Sequence, residues 1–319
     1  MSYAPLKKRL DAGETLILDG ATGTELQRQG AKMDATAWSA PVVLDDPKLL
    51  TDIHADYIRA GADVVTANTF SASRMLLDPA GYGDKVQEII RRSVEVAQKA
   101  RDMAAAGRPV AVAGSISHMV PVVQGANRTD PARLPPDSQI TDSMNELAET
   151  LRRSGVDLII LEMMNRPNRI KLALDAALAT GFPVWFGLSA RKGEDGHAIS
   201  FDSSMEAPLE TIVRLIPASG IDAAGCMHTG SEIMLDALKQ LRSGFKGPLM
   251  AYPDSGYFEM PDWRFVDVIT PDRLERFFGS WLEAGVQVIG GCCGLTTEHI
   301  KAAVAARDKF KRAPQTPAT

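Results

Sequence analysis

Val286-Gln287-Val288-Ile289-Gly290-Gly291-Cys292-Cys293-Gly294-Leu295 is a short apolar run that stops at two glycines and then presents two adjacent cysteines. The chain has three cysteines, and the remaining one, Cys226, closes a run of the same design, Ile221-Asp222-Ala223-Ala224-Gly225-Cys226. A strand-like run that ends on glycine and then delivers a reactive side chain is how a parallel sheet feeds a site at its carboxyl edge. Three thiols at strand ends, with no fourth, suit an open zinc site, because a structural site closes the tetrahedron with a fourth protein ligand. The same residues also admit a vicinal Cys292–Cys293 disulfide, or thiols packed as small hydrophobes.

Working outward, eight short aliphatic runs recur, most followed by a turn signal and a helix-period segment: Leu16–Leu18, Val64–Ala67, Val110–Ala113, Leu158–Leu161, Val184–Leu188, Ala223–Cys226, Leu249–Tyr252 and Val286–Ile289. Strand–helix alternation means a parallel sheet, and eight repeats favour closure into a single (β/α)8 TIM barrel of the α/β class. The linking helices read clearly. Asp46 caps one, Pro47 starts it, Leu49, Leu50, Ile53, Tyr57 and Ile58 share a face, and Gly61 ends it. Thr270, Pro271, Leu274, Phe277, Phe278, Trp281, Leu282 and Gly285 repeat the plan.

Two connections exceed what a plain barrel needs, Ser115–Thr141 after strand 3 and Pro253–Asp272 after strand 7. Long aperiodic loops in a compact domain are functional or disordered, and both of these would lie over the carboxyl ends of the strands. The expected organisation is a barrel domain over residues 1–312 and a disordered tail over 313–319.

Composition excludes several classes. A hydrophobic content of 45 %, a charged content of 24 % and a net charge of -5 describe an ordinary globular chain without the basic face a nucleic acid requires. No apolar run is long enough for a membrane span, and the basic N-terminus lacks the apolar stretch of a signal peptide. A cytoplasmic location is expected, and an odd number of cysteines suits its reducing conditions.

The residues at the strand ends test the barrel assignment. They are Asp19-Gly20-Ala21-Thr22-Gly23-Thr24, Asn68-Thr69-Phe70, Gly114-Ser115, Glu162, Cys226, Tyr252-Pro253-Asp254-Ser255-Gly256 and Cys292-Cys293. Leu18–Thr24, Gly61–Phe70, Tyr252–Gly256 and Ile289–Gly294 with Cys226 together resemble the homocysteine S-methyltransferase family over nearly the whole chain. The resemblance implies zinc (Zn2+) held by Cys226, Cys292 and Cys293. It also implies homocysteine bound through its ammonium by Asp19 and Glu162 and through its carboxylate by main-chain N–H groups near Gly20 and Thr22. Asn68 and Ser115 join the expected substrate contacts. The family's Asn before the position of Cys226 is Gly225 here, and Ser117-His118 replaces its Gly-Pro after strand 3. Both changes fall toward the methyl-donor side. His228 reads as a ligand's partner or a solvated loop histidine.

The expected reaction is attack of the zinc-activated homocysteine thiolate on a methyl group to give methionine. S-Methylmethionine or S-adenosylmethionine is the favoured donor, with a betaine or a corrinoid protein as alternatives. Tyr252, Tyr257, Phe258 and Trp263 are candidates for an aromatic wall around a cationic donor, or loop packing. A non-catalytic redox sensor built on a Cys292–Cys293 disulfide stays open. A Schiff-base lyase is disfavoured because no lysine directly follows a strand run. Small-molecule substrates are the expected partners, with no nucleic acid or membrane, and homo-oligomerisation stays open.

Overall fold

In the computed structural model, which describes residues 3–202 and 207–312, the eight expected runs form one parallel sheet. The expected tail, 313–319, lies outside the described residues. The strands are β1 (Leu16–Ile17), β2 (Val64–Thr66), β3 (Ala111–Ser117), β4 (Leu158–Met164), β5 (Val184–Leu188), β6 (Ile221–Met227), β7 (Leu249–Tyr252) and β8 (Val286–Ile289). Each pairs with its sequence neighbour, β1 pairs with β8, and a Leu18–Val64 bridge closes the ring between β1 and β2.

The linking helices form where the capping signals place them. Asp46 accepts from the Leu49 N–H at the start of the helix Pro47–Ala60, and Gly61 ends it at φ 115°. Thr270 accepts from the Arg273 N–H ahead of the helix Pro271–Glu283. Their apolar faces bury against the outside of the sheet. Inside the ring, Leu16, Leu18, Val64, Ala111, Ala113, Leu158, Ile160, Trp185, Ala223, Met250 and Val288 pack in alternating register. The helix Tyr3–Asp11 plugs the amino-terminal end with Tyr3, Leu6 and Leu10.

Both long loops fold over the opposite end. The loop after β7 contains a hairpin, Tyr257–Glu259 paired with Asp262–Arg264. The loop after β3 is tied to it by main-chain bonds from Gly125 N–H to Met260 O (2.9 Å) and from Met260 N–H to Ala126 O (3.2 Å). A third excursion follows β5, the hairpin Ala190–Lys192 with Ala198–Ser200. Its turn signal, Gly193-Glu194-Asp195-Gly196, lies inside a polar stretch without the alternation that marks a strand pair.

Candidate functional site

At the carboxyl end of the barrel the loops enclose a cavity of about 660 Å³. Its lining includes Asp19, Glu162, His228, Cys292 and Cys293. The donor atoms of His228, Cys292 and Cys293 all lie within 4.8 Å of one another. Cys292 Sγ stands 3.9 Å from Cys293 Sγ and 3.7 Å from His228 Nδ1. Donors in a tetrahedral zinc site stand about 3.5–3.8 Å apart at ordinary bond lengths, so this set suits the spacing that one ion needs. Both cysteines of the set are free thiols.

Cys226 is not in this group. On β6 the inward positions are Ala223 and Met227, whereas Ala224 and Cys226 pack in the outer core between sheet and helices. The alternation of a strand therefore aims the thiol away from the cavity. Nor could Gly225 carry the family's asparagine, because a Cβ there would lie 2.0 Å from the Met250 carbonyl oxygen. The polar residue that faces the site comes two positions after Cys226. His228 adopts φ 45°, a left-handed conformation unusual outside glycine, which turns its ring into the cavity. Behind the ring, Asp254 Oδ2 lies 3.6 Å from Nε2, leaving Nδ1 toward Cys292. Burial opposes the charged imidazole, but Asp254 and Cys292 outweigh it and push His228 up to about 9. A metal ion entering here displaces a proton from the ring as well as from the thiols.

Two buried carboxyl groups face the same space. Asp19 accepts from the Thr66 N–H (2.7 Å) and hydroxyl (3.1 Å), and Glu162 accepts from the Ser115 hydroxyl at 2.5 Å. Burial raises Asp19 well above the usual carboxylate range despite the Thr66 bonds, and nearby Glu162 raises it further. Burial likewise pushes Glu162 up to about 7, against the Ser115 bond and His228. Among the described residues no lysine or arginine pairs with either acid, so the two form a receptor for a cation. Glu162 owes its aim to an irregularity in β4, where Met163 at φ 58° shifts the register between Leu161 and Met164.

The other expected contacts divide. Gly20, Thr22 and Asn68 line the cavity, and the Asn68 amide is bonded to Ser39 through both ends, so it anchors the Ser39 segment. Ser115 acts through Glu162. Tyr252, Phe258 and Trp263 line the cavity, whereas Tyr257 is 49 % exposed and lies outside the lining. Sequence reasoning missed Trp38, whose ring meets Phe70 and Phe258 edge to face, and the arginine wall of Arg128, Arg166, Arg169 and Arg191. Pro167 at a helix start after β4 was the available signal for Arg166 and Arg169.

The sequence profile of the homocysteine S-methyltransferase family matches residues 16–307. The chain is 30 % identical to the homocysteine S-methyltransferase of Escherichia coli (strain K12), over 93 % of this chain and 97 % of that one. It is 27 % identical to a selenocysteine methyltransferase of Astragalus bisulcatus, over 91 % of each chain. The crystal structure of the homocysteine methyltransferase MmuM from Escherichia coli, metallated form, superposes with a TM-score of 0.71 at 26 % identity, covering 94 % of this chain and 99 % of that one. No helix among the described residues is long and apolar enough to cross a membrane.

Proposed function

Because this chain belongs to the homocysteine S-methyltransferase family, we propose that it methylates the sulfur of homocysteine from a small onium donor, using zinc held by His228, Cys292 and Cys293. The observation that carries this reading is the convergence of those three donor atoms beside two buried carboxyl groups in one cavity. When bound, the ion supplies Lewis acidity that lowers the acceptor thiol's pKa from about 8.5.

The chain's own residues do the rest. Asp19 and Glu162 receive the acceptor's ammonium, and Ser115 fixes the Glu162 rotamer. The acceptor's carboxylate meets the turn at Gly20 and Thr22, which opens its main chain to the cavity. The loops after β3 and β7 are tied together over this end of the barrel, and a site shielded from water strengthens such charge interactions. The acceptor sulfur attacks the methyl carbon and a carbon–sulfur bond forms. The bond from methyl to the onium atom breaks with its electron pair going to that atom, and the thiol's proton leaves to solvent. Trp38, Phe258 and Trp263 offer aromatic faces to the onium charge. S-Methylmethionine or S-adenosylmethionine is the favoured donor. Residues 1–312 act as one barrel domain in a cytoplasmic, reducing setting.

The test is purification with reductant, zinc quantification, and methionine formation from homocysteine with S-methylmethionine, S-adenosylmethionine and glycine betaine in parallel. About one zinc per chain and turnover with one donor is expected. A metal-free, inactive protein with an oxidised Cys292–Cys293 pair overturns the reading.

A further inference from the structure

We infer that Arg169 is the receptor for a carboxylate on the methyl donor, so that the donor is a zwitterion whose onium end meets the aromatic wall and whose anionic end meets this guanidinium. The inference rests on the methyltransferase reading above and names its donor class.

Arg169 lies in the first turn of the helix Pro167–Ala179, directly after β4, and lines the cavity. It is only 4 % exposed, yet among the described residues its Nε has no hydrogen-bond partner and its side chain makes no ion pair. Asp202 and Asp137 favour its charge through space, but among the described residues neither makes an ion pair with it. Arg166 engages Asp202 (Nε to Oδ2, 2.5 Å) and donates to the Thr129 hydroxyl (3.2 Å). His118 is also buried here, with Nε2 accepting from the Asn165 N–H at 3.2 Å. Burial pushes His118 down to about 3, and Arg169 lowers it further, so the imidazole brings no charge at neutral pH. Burial and Arg166 lower Arg169 itself only to about 10, so it stays cationic.

A buried guanidinium with no direct ion pair is costly, and the cost is reduced when a ligand supplies a bonded anion. The planar fork suits a carboxylate, which it meets with two parallel bonds. The acceptor's own carboxylate is the competing occupant, and the test separates the two.

The zinc-loaded protein with saturating homocysteine is assayed with glycine betaine, dimethylsulfonioacetate and S-methylmethionine, and with tetramethylammonium and trimethylsulfonium as counterparts that lack the carboxylate. Binding of each is measured in parallel by calorimetry. Wild type is expected to prefer a carboxylated compound, and Arg169→Gln to weaken that compound by about 100-fold, mostly in KM, with Arg169→Lys recovering part. The counterparts lose far less, and zinc content and the KM for homocysteine stay within about twofold. An unchanged donor preference in Arg169→Gln, binding of no carboxylated compound by wild type, or a loss that appears in the homocysteine KM instead overturns the inference. Arg169-dependent binding of a carboxylated compound without turnover would keep the subsite and remove the methyl-transfer reading.

Discussion

The two ends of the barrel treat buried polar groups in opposite ways. At the amino-terminal end they are paired within the protein. Asp63 accepts from Arg9 and from the Ile17 N–H, with Arg108 and Arg307 close by, and Tyr3 links Asp222 to the Trp185 indole. At the carboxyl end, Asp19 and Glu162 are buried with raised pKa values, and Arg169 Nε and the Tyr252 hydroxyl have no partner among the described residues. Among the described residues, three of the five non-glycine residues with positive φ, Trp38, Met163 and His228, also line the cavity there. One end is satisfied by its own chain, and the other holds charges and strain that a substrate or metal would relieve.

The largest expected effect separates two residues two positions apart at the end of β6. His228→Ala and Cys292→Ala should lose zinc and lower kcat/KM on the order of 10³-fold or more, with circular dichroism unchanged. Cys226→Ala should keep its zinc and nearly all of its activity, at a cost in stability of about 1 kcal/mol for a small buried cavity. Zinc lost from Cys226→Ala and retained in His228→Ala would reverse the assignment.

Asp63→Ala tests the other end. Removing the acceptor of a buried, charged network should cost about 3–5 kcal/mol in urea unfolding. The kcat/KM of the folded fraction should not change. A comparable loss of catalysis would mean that the two ends are coupled.

Glu162 gives a smaller, pH-dependent effect. Its pKa rises from 4.5 to about 7 on folding, first because it is buried. The native state therefore holds the proton more tightly than the unfolded chain. Stability from this group is complete below 4.5, declines as pH rises toward 7, and is lost above that, about 3 kcal/mol in all. Glu162→Gln should flatten that decline. An acceptor's ammonium needs the ionised carboxylate, so the homocysteine KM of wild type should climb as pH falls below about 7. A KM independent of pH, with Glu162→Gln unaffected, would remove Glu162 from the acceptor site.

The strands were legible because each is a continuous apolar run with a glycine or polar stop, and barrel closure followed from their number. That Asp19, Glu162, Cys292 and Cys293 line the cavity was legible because strand ends predict where side chains emerge. His228 was not, since residue type favoured the thiol of Cys226, and only the inward position of Met227 and the left-handed turn after it reveal the imidazole. Arg169 was hidden for a different reason. It sits one helical turn beyond a strand end, where sequence alone reads an arginine as solvent-exposed.

Tyr252→Phe is the mildest change and sharpens the comparison most finely. The hydroxyl is buried within the ring near Gly187, where a Cβ would approach it to 2.5 Å, and it has no partner among the described residues. An unsatisfied buried hydroxyl at the paired end of the barrel would be a defect, so its removal should leave stability unchanged or raise it by about 0.5 kcal/mol. At the carboxyl end Tyr252 lines the substrate cavity. If substrate completes its hydrogen bond, Tyr252→Phe should lower kcat/KM by about tenfold while stability holds. Unfolding midpoints and steady-state rates measured on the same preparations decide this. Unchanged kinetics with raised stability would mark Tyr252 as a packing residue rather than a group awaiting a ligand.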